Sequence, residues 1–178
     1  MTHRYVALLR GINIGPHKKV PMSELKELFQ GLGFTGVTTL LNTGNVIFDS
    51  TKTSVRRLPD IESTILERFG FPVSVQVHPR ALFDAIVEAD PFRRVRVMPD
   101  TRLYVSFVGS SQKSGPSLPH SSLDGALRVI AKEGAAVFSV LDLSKAGTPD
   151  AMAVLERAFG KDITTRNWNT VQKIVRGL

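Results

Sequence analysis

The chain opens on a short apolar run, residues 5–9, closed by Arg10-Gly11, the pattern of a buried strand that ends in a turn. Past the polar stretch 11–20, apolar positions recur at helical spacing: Met22, Leu25, Leu28, Phe29 and Leu32. Ser23, Glu24, Lys26, Glu27 and Gln30 take the opposite face. Pro21 suits the first turn of this helix and Gly33 a C-terminal cap. Two β-rich runs follow, 37–41 and 45–48. They are parted by Asn42-Thr43-Gly44, where glycine supplies the positive φ of a tight turn. A second helical stripe, Ile61, Ile65, Leu66 and Phe69, begins behind Pro59, with Asp60 and Glu62 in its first turn, and stops at Gly70. Pro72 opens an alternating strand through Val73, Val75 and Val77. The order β-α-β-β-α-β predicts an α+β chain with a ferredoxin-like subdomain over residues 1–79, both helices covering one sheet face.

The second half follows mixed periods. Residues 80–88 predict a short helix with Leu82, Phe83, Ile86 and Val87 on its apolar side, and 103–108 a strand. Residues 109–120, rich in Ser, Pro and Gly, predict a surface loop. Ser121 suits the cap of a helix running to about Lys132, and 137–141 predicts a strand. Thr148 as N-cap with Pro149 behind it opens a helix to Phe159, and a last helix spans 166–176. The expectation is a second, diverged α+β subdomain with C-terminal helices over residues 80–178. No internal sequence repeat is strong enough to make it a copy of the first.

Composition narrows the function classes. With no cysteine, thiolate nucleophiles, disulfides and Cys-based zinc sites are excluded. No segment has the apolar length of a signal-peptide core or a bilayer span, so the expectation is a cytoplasmic protein without a membrane partner. The net charge of +7 favours a polyanionic partner such as nucleic acid. The basic residues nonetheless come in small groups: Lys18-Lys19, Arg56-Arg57, Arg93-Arg94 with Arg96, and Arg166 with Lys173 and Arg176. None forms a basic tail, and solvated faces account for them better than a nucleic-acid footprint does.

Several ordered motifs resemble a known family. Residues 10–15 (Arg-Gly-Ile-Asn-Ile-Gly), Met22 with Leu25, Leu32-Gly33-Phe34 and residues 43–48 (Thr-Gly-Asn-Val-Ile-Phe) are similar to the N-terminal signature of the bacterial family called domain of unknown function 1697. Residues 164–171 (Thr-Thr-Arg-Asn-Trp-Asn-Thr-Val) resemble its C-terminal signature. The chain departs from the pattern at Pro16, where a second glycine is usual, and at Thr43, where serine is common. The resemblance implies ferredoxin-like subdomains. It implies no reaction, cofactor or catalytic residue.

The predicted topology brings two distant stretches together. In this strand order the first strand ends at the edge where the hairpin turns, so loop 10–19 and turn 42–45 are expected to be neighbours. The N-terminus of the first helix points to the same edge and favours an anion. Arg10, Asn13, Lys18, Lys19, Asn42, Thr43 and Asn45 are the candidate ligand-binding residues. Two interpretations stand: a pocket for phosphate or carboxylate, or asparagines that satisfy turn backbone while Arg10 ties the loops together. Arg166 is a further candidate, either pairing with a carboxylate or reaching the same pocket. Trp168 shares a helical face with Val171, Ile174 and Val175, which predicts a core position.

No catalytic motif is present. Gly15 is followed by Pro16 and no Gly-Lys-Ser/Thr triplet occurs, so there is no Walker A loop. The third glycine of a dinucleotide fingerprint and the Gly-x-Ser-x-Gly elbow are also missing. His3, His17, His78 and His120 are scattered without ligand spacing, so neither metal nor cofactor is expected. RNA-recognition modules share this strand order but need exposed aromatics on the central strands, where only Tyr5 and Phe48 are available. The function expected is binding of an anionic small molecule or a nucleic-acid backbone. The rivals are a hydrolase or transferase using the same loops, and a protein-interaction scaffold.

Overall fold

The computed structural model describes residues 2–51, 58–109, 117–118, 120–122 and 125–178. Arg56-Arg57 and most of the expected surface loop, 110–116 and 119, lie outside the described residues. The elements are β1 (Thr2–Leu9), α1 (Met22–Gly31), β2 (Thr35–Leu40), β3 (Asn45–Thr51), α2 (Leu58–Phe69), β4 (Val75–Pro79) and α3 (Arg80–Ala89). They continue with β5 (Thr101–Val108), β6 (His120–Ser121), β7 (Leu127–Glu133), β8 (Ala136–Asp142), α4 (Thr148–Phe159), β9 (Ile163–Asn167) and α5 (Trp168–Gly177). The chain is α+β with two antiparallel sheets, divided into two compact units: Met1–Ala81 with Lys173–Leu178, and Leu82–Gln172.

In the first unit the strand order is β2-β3-β1-β4, every neighbour antiparallel, which is the ferredoxin-like arrangement. The side-chain period of two sends Tyr5, Ala7 and Leu9 of β1 and Val46 and Phe48 of β3 toward α1 and α2. There they join Leu25, Leu28, Phe29, Ile61 and Ile65 in one core. Phe48 is its centre, with ring centroids 4.6 Å from Phe34 and 5.3 Å from Phe29. α1 stops because Gly33 takes φ 88°, letting its N–H donate to the Gln30 carbonyl at 2.9 Å and Phe34 N–H to Phe29 at 3.2 Å. At the sheet edge, Val75 N–H donates to Glu62 Oε1 at 2.8 Å, so α2 satisfies a group that β4 would otherwise expose.

The last six residues group with this first unit rather than with the rest of residues 80–178. Arg4 Nη1 and Arg80 Nη1 donate to the Leu178 carbonyl at 3.1 and 2.9 Å, and Gly177 lies against Ile47 and Leu40. Arg4 also holds Asp49 opposite it on β3 through two parallel bonds of 2.9 and 3.0 Å.

The second unit orders its strands β6-β7-β8-β5-β9. The helix expected from Ser121 to about Lys132 is absent: the described part of that stretch is β6, a turn and β7. Leu127 and Val129 are buried while Arg128 between them is exposed, a strand's period, and they pair with Leu141 and Ser139 of β8. Serine chemistry here closes a turn instead of capping a helix, with Leu127 N–H donating to Ser122 Oγ at 2.9 Å. Strands β9-β5-β8-β7 repeat the order β4-β1-β3-β2, so the second unit shares the first unit's strand order. Among the described residues its first crossover carries β6 where the first unit has α1. Val87, expected on the apolar side of α3, is exposed, and α4 takes Gly147 rather than Thr148 as its cap. No helix among the described residues is long and apolar enough to cross a membrane.

Candidate functional site

The edge of the first sheet is built from two bends. At the end of β1, Leu9 N–H donates to Gly44 at 2.8 Å and Arg10 N–H to Ser74 at 2.9 Å, so the strand end is held on both sides. Beyond it the chain turns sharply, with positive φ at Gly11 (68°), Asn13 (57°), Gly15 (67°) and Lys18 (54°). Asparagine tolerates this region better than other side chains because its amide bonds locally. Asn13 N–H donates to the Lys18 carbonyl at 3.0 Å and Asn13 Oδ1 accepts from Val20 N–H at 2.9 Å, closing the loop on itself.

Asn13 then joins the loop to the hairpin turn. Its Nδ2 lies 3.0 Å from the Val20 carbonyl, 3.0 Å from the Asn42 carbonyl and 3.1 Å from Asn42 Oδ1, three acceptors sharing two hydrogens. The turn is a single 3-10 turn, Leu41–Thr43, followed by Gly44 at φ 72°. A Cβ on Gly44 would stand 2.7 Å from both Ile12 Cδ1 and Leu9 Cβ, so only glycine lets the loop pack against the turn. Asn45 is buried and donates to the Leu40 carbonyl at 3.0 Å and to Thr43 Oγ1 at 2.9 Å.

The structure therefore brings Asn13, Lys18, Asn42, Thr43 and Asn45 together as the topology requires. The side chains of Asn13 and Asn45 are committed to backbone and side-chain partners within the rim, while Lys18, Lys19, Asn42 and Thr43 are exposed and Arg10 is half-buried. Arg166 belongs to the second unit, on β9 opposite Val105, with Nη1 donating to the Thr165 carbonyl at 3.0 Å. Burial pulls its pKa down to about 10, which leaves it cationic at neutral pH.

Sequence reasoning missed two exposed apolar residues on the rim, Ile14 (76% exposed) and Leu41 (43%), the latter at φ 57°. The alternation Ile12-Asn13-Ile14 was the available signal: Ile12 is buried, and Ile14 is not. Trp168, expected in the core, is half-buried. It lines a cavity of about 320 Å³ within the second unit. Tyr5 and Phe48 face the helices, with rings 5.9 Å apart, so neither serves as a base-stacking platform. Among the described residues no group of three His, Asp or Glu side chains is arranged to hold a metal ion.

No curated protein matches the chain. Among solved structures, the conserved bacterial protein SP0830 from Streptococcus pneumoniae is similar in fold. Its TM-score is 0.76 at 23% sequence identity, with 99% of each chain covered. The model of a family described as protein of unknown function (DUF1697) matches residues 1–138, which include both bends of the rim; the run 164–171 lies beyond the matched part. The chain belongs to that family, DUF1697.

Proposed function

We propose that the rim binds an anionic group, carried by a small molecule or by a nucleic-acid backbone. The single observation behind this reading is the Asn13–Asn42 junction, which holds a loop of alternating left-handed residues beside two exposed lysines. Alternation of φ at Gly11, Asn13 and Gly15 is the backbone habit of anion-cradling concavities, although the Asn13 N–H itself is given to the Lys18 carbonyl, so the cradle would be formed by its neighbours. The start of α1 adds to it: Pro21 precedes the helix with no side-chain cap, so the first N–H groups and the helix dipole favour negative charge. Lys18 and Lys19, both exposed, supply cationic donors for a phosphate. Arg166 has no part in this reading, which rests on the first unit alone. A cytoplasmic location goes with it, supported by the cysteine-free composition.

Calorimetric titration with inorganic phosphate, nucleoside phosphates, phosphosugars and a short oligonucleotide tests the proposal. The double variant Lys18→Ala/Lys19→Ala is expected to weaken binding about tenfold or more, a loss of about 1.4 kcal/mol, with an unchanged melting temperature. A backbone ligand would show affinity falling steeply with salt, a single phosphate group much less so. Equal affinity in the double variant, or no binding by any of these ligands, rejects the reading.

A further inference from the structure

The cavity beside Trp168 lies entirely among residues of the second unit and is not used by the rim. Its volume of about 320 Å³ falls at the small end of the range for sites that enclose small molecules. Its walls combine Trp168, Val97 and Leu103 with the polar groups of Arg102, Asn167 and Asn169. We propose that this cavity binds a small aromatic anion, about the size of one nucleoside monophosphate.

Three features carry the inference. The indole is braced from behind: its ring meets Phe92 edge-on at 5.2 Å, and Phe92 meets Phe138 edge-on at 5.9 Å, both phenylalanines being buried. Trp168 itself is half-buried and lines the cavity, so an indole already held in place by its neighbours is offered to a flat ring at little further ordering cost. Next, Arg102 is half committed. Its Nη1 donates to the Pro99 and Thr101 carbonyls at 2.7 and 2.9 Å, which steadies the guanidinium. Its Nε and Nη2, and the exposed amide of Asn169, have no hydrogen-bond partner among the described residues. Asn167 is half committed as well: its Oδ1 accepts from Thr170 N–H at 2.8 Å, which fixes the chain where Trp168 and Asn169 enter the cavity wall, while its Nδ2 still has donors to offer. Lastly, the segment that reaches the cavity through Val97 is strongly cationic: residues 93–102 hold Arg93, Arg94, Arg96 and Arg102 against Asp100 alone. An indole for a flat ring, an arginine edge for an oxyanion and a free amide for a ring heteroatom form one recognition set.

Trp168 is the sole tryptophan, so the site carries its own reporter. The intact chain is titrated with AMP, GMP, CMP and UMP, with 4-hydroxybenzoate, and with inorganic phosphate, following Trp168 emission and its indole Nε1–H cross-peak in a proton–nitrogen correlation spectrum. Saturable quenching and movement of that cross-peak are expected with at least one ring-bearing anion, at a Kd below about 1 mM. Arg102→Ala should weaken it about tenfold. Arg102 is exposed, so circular dichroism and the melting temperature should stay at wild-type values and exclude a folding defect. Saturation by nucleotides alone identifies the ring as a nucleobase; saturation by 4-hydroxybenzoate alone keeps the aromatic-anion site and assigns a carboxylate ligand. Silence of both reporters toward every ring-bearing probe, or undiminished affinity in Arg102→Ala, overturns the proposal.

Discussion

Replacing Asn13 by glycine, alanine and aspartate separates its two contributions, a left-handed backbone at φ 57° and a side chain that ties loop to turn. Asn13→Gly keeps the backbone at no steric cost but deletes the side-chain bonds: Val20 N–H loses its acceptor, and the Val20 and Asn42 carbonyls lose a donor. Three bonds at about 0.5–1.5 kcal/mol each would sum to about 2–4 kcal/mol. The junction is partly exposed and water takes over some of these groups, so about 1–3 kcal/mol is expected. Asn13→Ala adds the left-handed penalty of about 1 kcal/mol. Asn13→Asp keeps the acceptor for Val20 N–H but turns a second oxygen on three oxygen acceptors, and should be at least as damaging as alanine. Amide exchange at Ala7 and Val46, a fully buried pair of β1 and β3, measures the first unit's own opening free energy without assuming that both units unfold together. Exchange should quicken about 5- to 150-fold in Asn13→Gly and further in Asn13→Ala. Exchange in Asn13→Gly within about twofold of wild type, or equal rates for glycine and alanine, would refute the claim that this amide holds the rim together.

Other tests follow from single contacts. Gly44→Ala forces a Cβ to within 2.7 Å of Ile12 and Leu9 at φ 72°, and should cost the first unit at least about 2 kcal/mol by the same exchange measurement. Ser139→Ala should raise the melting temperature, by about 1 kcal/mol of stability, because the buried Ser139 hydroxyl has no partner among the described residues. The hydrogen bonds from Arg4 hold the Asp49 carboxyl below the usual carboxylate range. That stabilisation is complete above the unfolded-chain pKa and lost as pH falls through the folded one, so Asp49→Asn should flatten the loss of melting temperature between about pH 5 and pH 2; an unchanged acid slope would contradict it. Arg68, which reaches Glu24 and Glu27 at 3.3 and 3.2 Å on an exposed surface, should matter little: Arg68→Ala is expected to change stability by less than about 1 kcal/mol.

Local order was legible in the sequence wherever neighbouring residues determine it. The stripe Leu25, Leu28, Phe29, the stop at Gly33 and the turn at Gly44 follow from periods and allowed dihedrals that act within a few residues. The meeting of the two bends was legible as well, because strand order alone sends them to one edge. Tertiary structure decided whatever depends on a partner. Residues 127–133 carry spacing that suits either period over so short a run, and pairing with β8 makes them a strand. Arg4 and Arg80, remote in sequence, draw the last residues to the first unit. Whether Asn13 presents its amide to solvent or spends it on Val20 and Asn42 is a matter of ångströms between bends 29 residues apart. A helical face likewise says where Trp168 points but not whether packing closes over it, and here a cavity remains. Periodicity is a property of the chain, whereas contact distance is a property of the fold.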